Sequence, residues 1–289
     1  MTSTLPTSIV IPGTFGETPN WLVPIVSQVQ DFCHAWTRET GCKVLLAADT
    51  GSRARGLAGP ASDFDVRLVY LPPRAWYYSV DRRTLRDTIT GKDFENLGIA
   101  IPKGTDLMGF ELTKFLGLVR GSNPTALEIL GSSLVYYVTS MAYDLRALRN
   151  MPHKRQALVG HYASQAITQV SRDRLLAAPA TVKGWLMFLV PALSALWAKD
   201  HGQPPPLSYY DLLDYMGPRA YNEARLLGHA KRTGQANKAV TAGDLPNLAS
   251  WTREFVEDHP RPTEGMMTGT SPELIDAVVR ISREAARLS

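Results

Sequence analysis

Residues 44–70 read VLLAADTGSRARGLAGPASDFDVRLVY, with an apolar run, Val44 to Ala48, leading into Gly51-Ser52. A loop carrying Gly51, Gly56 and Gly59 with Arg53 and Arg55 follows, and a second apolar run then opens on Asp63-Phe64-Asp65. Successive side chains of an extended strand alternate between faces, so Asp63, Asp65 and Arg67 project together and Phe64, Val66 and Leu68 project the other way. Carboxylates side by side on one face repel unless a cation lies between them. A glycine-serine turn after a strand adds backbone N–H groups and a hydroxyl, an arrangement suited to phosphate. The stretch therefore predicts two strands joined by an anion-binding loop, with a cation site beside it.

Reading outward, Thr18-Pro19 predicts a helix start and Gly41 its stop, with Trp21, Leu22, Ile25, Val29, Phe32 and Trp36 at helical spacing. Met1 to Thr18 reads as an arm or edge strand around Ser8 to Ile11. Cys42 to Ala48 and Ser62 to Leu71 read as strands, the latter closed by Pro72-Pro73, and Thr105 to Phe110 as a third. Between them, Ile89 to Lys103 predicts loops or a hairpin around Ile99-Ala100-Ile101. A helix is expected over Glu111 to Arg120 and another over Thr125 to Leu130, then a strand over Leu134 to Val138. Beyond Ser140 helical spacing dominates: Met141 to Asn150, Arg155 to Ala178, Val182 to Asp200, Leu207 to Met216 and Pro272 to Leu288. Residues 217–270 carry Gly, Pro, Asn and Thr that interrupt every pattern. The expected fold class is α+β: a small mixed sheet with helices on one face in residues 1–140, then an all-helical domain in residues 141–289.

With 44% hydrophobic and 20% charged residues, the composition excludes a disordered chain. Lys and Arg number 31 against 27 Asp and Glu, a small basic surplus compatible with a nucleotide or RNA partner. Cys33 and Cys42 form neither a metal-ligand spacing nor a disulfide framework. Trp185 to Ala198, the longest apolar stretch, is too short to span a bilayer. A cytoplasmic protein without membrane attachment is expected.

Asp63 and Asp65 offer hard oxygen ligands of the kind Mg²⁺ takes together with substrate phosphates. Asp106, on the third strand, becomes a third carboxylate if sheet pairing brings it alongside; Glu111 is its rival, although a carboxylate at a helix start often serves only the helix dipole. Arg53, Arg55 and Arg67 are candidates for neutralising phosphate. Each has a structural alternative: Asp63 as a turn residue, Arg67 as an ion-pair partner, Arg53 and Arg55 as solvated loop charges. His161, Tyr162 and Gln165 also lie at helical spacing, with packing the plainer account.

Gly51-Ser52, ten residues, then Asp63-Phe64-Asp65 resembles the signature of the DNA polymerase β nucleotidyltransferase superfamily. The string GSRARGLAGPASDFDVRLVYLPP, with ELTKFLGLVRGSNPTALEIL, GHYASQ and KGWLMFLVPALSALW downstream, resembles a branch of predicted nucleotidyltransferases that includes RNA-repair-associated members. Arg55 departs from the aromatic residue or histidine of that branch, and Val190 from its arginine. The resemblance implies transfer of a nucleoside monophosphate from an NTP to an acceptor hydroxyl with release of pyrophosphate. Gly51 and Ser52 would hold the β and γ phosphates, Asp63 and Asp65 would ligate two Mg²⁺ (or Mn²⁺) ions, and Asp106 would bind the catalytic metal and help deprotonate the acceptor. The expected acceptor is an RNA end, such as a tRNA terminus. A protein hydroxyl, a small molecule such as an aminoglycoside, or a catalytically silent nucleotide- or RNA-binding relative are the alternatives.

Overall fold

The computed structural model describes residues 23–80, 86–259 and 270–288. The arm at Met1 to Thr18 and the helix start at Thr18-Pro19 lie outside them. Helix α1 (Val23–Thr40) ends at Gly41, whose φ of 73° suits a residue without a Cβ. Strand β1 (Lys43–Asp49) follows and is buried from Val44 onward, as an uninterrupted apolar run requires of a central strand. After the glycine loop come β2 (Phe64–Leu71), the short helix α2 (Arg74–Tyr77), β3 (Thr88–Thr90), α3 (Gly91–Asn96) and β4 (Thr105–Glu111). Helices α4 (Leu112–Arg120) and α5 (Pro124–Gly131) lead to β5 (Val135–Val138).

The sheet order is β3-β4-β2-β1-β5, with β2 and β4 parallel and the other pairs antiparallel. The mixed sheet expected from the sequence is present, but both of its faces are covered. Val66, Leu68 and Tyr70 pack with α1, where Trp36 meets Tyr70 and the α3 residue Phe94 edge-on at 4.8 Å each. Val69, Leu71 and Phe110 pack on the opposite face with Phe115 and Leu127 of α4 and α5. Asp65 and Arg67 share that second face by strand alternation. The region expected as loops or a hairpin holds instead β3 and α3; Thr90 caps α3 in a reciprocal pair with Asp93.

The helical half comprises α6 (Ser140–Ala147) with a 3-10 turn at Leu148–Asn150, α7 (Arg155–Asp173), α8 (Val182–His201), α9 (Tyr209–Leu213), α10 (Pro218–Arg232), α11 (Pro246–Asp258) and α12 (Pro272–Leu288). It is not wholly helical: β6 (Ala180–Thr181) pairs with β7 (Ala239–Val240). Residues 217–270, without a pattern in the sequence, supply α10 and α11. Trp185, Phe188, Tyr209, Leu212 and Leu248 form this half's core, while α12 returns to lay Leu274 and Ile281 against the sheet's second-face core. No helix among the described residues is long and apolar enough to cross a membrane.

Candidate active site

The site is built where β1, β2 and β4 meet the glycine loop. Strand β1 ends in Asp49, which is fully buried and accepts hydrogen bonds from Gly51 N (2.9 Å), Asp65 N (3.2 Å) and the Tyr136 hydroxyl (3.0 Å). Burial pushes its carboxyl up to about 6, partly offset by these bonds, and the neighbouring Asp65 charge adds to the rise. Sequence reading passed over Asp49; the signal available was an acid closing an apolar strand directly before Gly51-Ser52. Because Gly51 N–H donates to Asp49, it is not turned outward toward a phosphate as the anion-loop expectation required. Of that pair, both the Ser52 backbone N–H and the Ser52 hydroxyl have no intramolecular partner among the described residues.

Gly51 serves a different end. A Cβ there would lie 1.6 Å from Asp65 Oδ2, so the carboxylate rests directly on the glycine. The loop then makes one helical turn, with Arg55 N donating to Gly51 O (3.2 Å) and Leu57 N to Ser52 O (2.7 Å). Gly56 reverses it at φ 69°, a conformation costly for a residue with a Cβ.

Parallel pairing sets Asp65 opposite Asp106 in register. Arg67 lies over both: Nη2 is 2.8 Å from Asp106 Oδ2 and 3.3 Å from Asp65 Oδ1, and Nη1 donates to the Asp106 carbonyl at 2.8 Å. The Arg67 side chain is 13% exposed and that of Asp106 56%, so the pair opens toward solvent on the Asp106 side. Burial raises the Asp65 carboxyl, Arg67 opposes that, and the charges of Asp63 and Asp106 raise it further. Asp63 is exposed and precedes β2 rather than belonging to it, since the strand begins at Phe64 and not at Ser62. Glu111 sits at the far end of β4 and is buried. Its oxygens accept from Thr113 N (2.8 Å), Lys114 N (2.9 Å) and the Tyr77 hydroxyl (2.7 Å), which makes it the N-cap of α4.

The arginines of the loop divide. Arg53 donates to the carbonyls of Ser62 and Asp63 and stacks 3.9 Å over the Phe64 ring, closing the loop on itself. Arg55 forms an ion pair with Glu128 of α5, 2.7 Å long with both side chains 17% exposed, and still feels the Asp65 charge. Leu57 is buried in the helical core, and Tyr209 N donates to Arg55 O at 3.0 Å. The loop thus begins on the sheet and ends anchored in the helices. His161 bonds to the Gly121 carbonyl and Tyr162 is core, as the packing account of that helix face holds.

The helical half returns two cations that sequence reading did not single out. Asp65 feels Lys183, in the first turn of α8, and Lys231, in the last turn of α10, feels Lys183, Asp63 and Asp65. Burial and then Lys183 depress the Lys231 ammonium, while Asp63 and Asp65 pull it back up. Nothing in their local sequence marks them, because the acids they face lie more than a hundred residues earlier.

Among the described residues no three His, Cys, Asp or Glu side chains converge closely enough to hold a metal ion as they stand. Mg²⁺, however, is commonly held by one or two carboxylates completed by substrate phosphates. The donors here are hard carboxylate oxygens, and a cation, the Arg67 guanidinium, already bridges Asp65 and Asp106. The residues present fit such an ion.

Residues 25–276 match RlaP, the RNA repair pathway DNA polymerase beta family. The chain is also 35% identical over 198 residues to "Uncharacterized protein YcgL" of Bacillus subtilis (strain 168), covering 68% of this chain and 72% of that protein.

Proposed function

Since the chain belongs to the RNA repair pathway DNA polymerase beta family, we propose that it is a Mg²⁺-dependent nucleotidyltransferase that moves a nucleoside monophosphate from an NTP to the end of an RNA, such as a tRNA terminus, releasing pyrophosphate. One observation carries the reading: Asp65 and Asp106 stand in register on adjacent parallel strands, with Asp65 resting on Gly51 at the mouth of the loop. Functionally, residues 1–140 supply the carboxylates and residues 141–289 close over them with Lys183 and Lys231.

Asp63 and Asp65 would hold the metal ions with Asp106 as the third carboxylate, leaving Glu111 as a helix cap. When bound, Mg²⁺ neutralises phosphate charge and makes the acceptor hydroxyl more acidic. Asp106, the exposed member of the pair, accepts the proton of that hydroxyl as its oxygen attacks the α-phosphorus and the bond to pyrophosphate breaks. The Ser52 hydroxyl donates to the triphosphate, and Lys183 and Lys231 offset the charge that accumulates on the leaving pyrophosphate. Arg67 balances the Asp65–Asp106 pair, and Asp49 fixes the loop from beneath by holding Gly51 N–H and Asp65 N–H on one carboxylate. Arg53 and Arg55 shape the loop beside the triphosphate. Most of the rate then comes from orientation and fixed charge, as in other phosphoryl transfers.

Incubation with each α-labelled NTP and Mg²⁺, alone, with total tRNA and with cell lysate, tests this reading. Label in RNA is expected. Label only in protein would replace the acceptor, and no label under any condition would overturn the activity.

A further inference from the structure

Helix α10 presents a solvent-facing groove of about 340 Å³ lined by Tyr210, Asn222, Arg225, Leu226, His229 and Arg232. Residues 222, 225, 229 and 232 fall on one helix face, spanning about 15 Å along the axis. All four are exposed, as is Leu226 at 64%, while Ala220, Ala224, Leu227 and Gly228 bury the opposite face. None of these lining side chains is acidic. The ring of Tyr210 forms one wall, with the Arg232 guanidinium 5.8 Å from its centroid.

The groove is continuous with the candidate active site. A Cβ on Gly56 would stand 3.8 Å from the Tyr210 ring, and one on Gly59 would lie 2.5 Å from the Lys231 carbonyl, so the glycine loop runs along this groove's edge. Lys231, next to Arg232 in the chain, faces the carboxylates.

We infer that this groove binds the single-stranded portion of the RNA acceptor beside its reacting end, an assignment that rests on the function proposed above. The chemistry matches that occupant. Arg225 and Arg232 are spaced along a line to take successive phosphates, Tyr210 offers a ring for base stacking, and Asn222 and His229 provide hydrogen-bonding groups between them. Basic residues in the last turn of a helix also favour the helix dipole. That accounts for His229 and Arg232 but not for Arg225, two turns earlier, nor for the partly buried aromatic wall.

The test uses the full chain and fluorescence anisotropy of a labelled single-stranded RNA 12-mer without NTP, over a salt series, with Mg²⁺–ATP binding followed separately by calorimetry. Arg225→Gln with Arg232→Gln is expected to weaken RNA binding at least tenfold and to lower the salt slope by about 1.4, two phosphate contacts' worth. Tyr210→Ala is expected to weaken it about five- to a hundredfold with the slope unchanged, and Tyr210→Phe to preserve it. A blunt-ended duplex is expected to bind more weakly than the single strand. Mg²⁺–ATP binding should be unchanged in all three proteins. Wild-type protein that fails to bind the 12-mer, RNA affinity unchanged in the double arginine variant and Tyr210→Ala, or an equal loss of ATP binding in those variants would each overturn the groove as the acceptor path. Because RNA binding is read without NTP, failure of the groove leaves the donor chemistry standing. Loss of the donor reading shows instead as Mg²⁺–ATP binding that does not depend on Asp65.

Discussion

Strand β4 carries a carboxylate at each end, and the two have opposite surroundings. Asp106 is exposed, its nearest partner is the side chain of Arg67, and an in-register carboxylate stands beside it. Glu111 is buried and fully committed to two backbone N–H groups and a tyrosine hydroxyl. The residue types are nearly the same, but one end stores charge repulsion that a bound cation relieves and the other has none to relieve. Satisfied acids stabilise a fold; acids held together with a replaceable counter-charge are available for chemistry.

The sharpest way to break this contrast is at Asp65. Asp65→Asn is expected to reduce nucleotidyl transfer by about a thousandfold and to abolish Mg²⁺-dependent NTP binding. The melting temperature should stay level or rise, because removing a charge from the Asp65–Asp106 pair relieves repulsion. A drop in stability comparable to the loss of activity would mark Asp65 as structural.

Gly51→Ala should come next. The backbone at Gly51 is not left-handed, so alanine is conformationally permitted, yet its Cβ would occupy the place of Asp65 Oδ2. Displacing the carboxylate by about 1 Å is expected to cost roughly a hundredfold in kcat, with a circular dichroism spectrum like that of the wild type. Retained activity would show that Asp65 does not need the position it holds.

At the opposite end, Glu111→Gln keeps the shape but weakens the cap, and should lower stability by about 1–2 kcal/mol in denaturant titration while leaving kcat within about twofold. The smallest effect concerns His153, whose imidazole lies between the Ser122 hydroxyl and the Leu148 carbonyl. Burial depresses its pKa, the Leu148 and Arg149 backbone opposing. The folded state therefore binds fewer protons than the unfolded one, and this contribution is complete above an unfolded value of about 6.5 and lost as pH falls through the depressed folded value. The raised carboxyls of Asp49 and Asp65 act with the opposite sign. The check is thus differential: the stability gap between wild type and His153→Gln should shrink from pH 8 to pH 5, and a constant gap would exclude the histidine.

How much of this could be read beforehand followed signal strength. Strands β1, β2 and β4 declare themselves through uninterrupted or alternating apolar runs, and Gly51-Ser52 with Asp63-Phe64-Asp65 picks out the candidate site. Helix α10 escaped notice because its buried stripe is Ala220, Ala224, Leu227 and Gly228, small residues that leave little hydrophobic periodicity in a charged segment. Strand β3 is only three residues long and rests on pairing with β4. That Asp106 and not Glu111 neighbours Asp65 depends on the β2–β4 register, which no local pattern encodes. The Arg55–Glu128 ion pair could not be read because Glu128 is far along the chain, and Lys183 and Lys231 were hidden for the same reason.

The most direct measurement sets the two ends of β4 against each other. Transfer from an α-labelled NTP to RNA and thermal melting are followed for Asp106→Asn and Glu111→Gln in parallel. The account predicts that Asp106→Asn loses transfer with an unchanged or raised melting temperature, while Glu111→Gln melts earlier and still transfers. Full transfer by Asp106→Asn, with transfer lost in a well-folded Glu111→Gln, would contradict it.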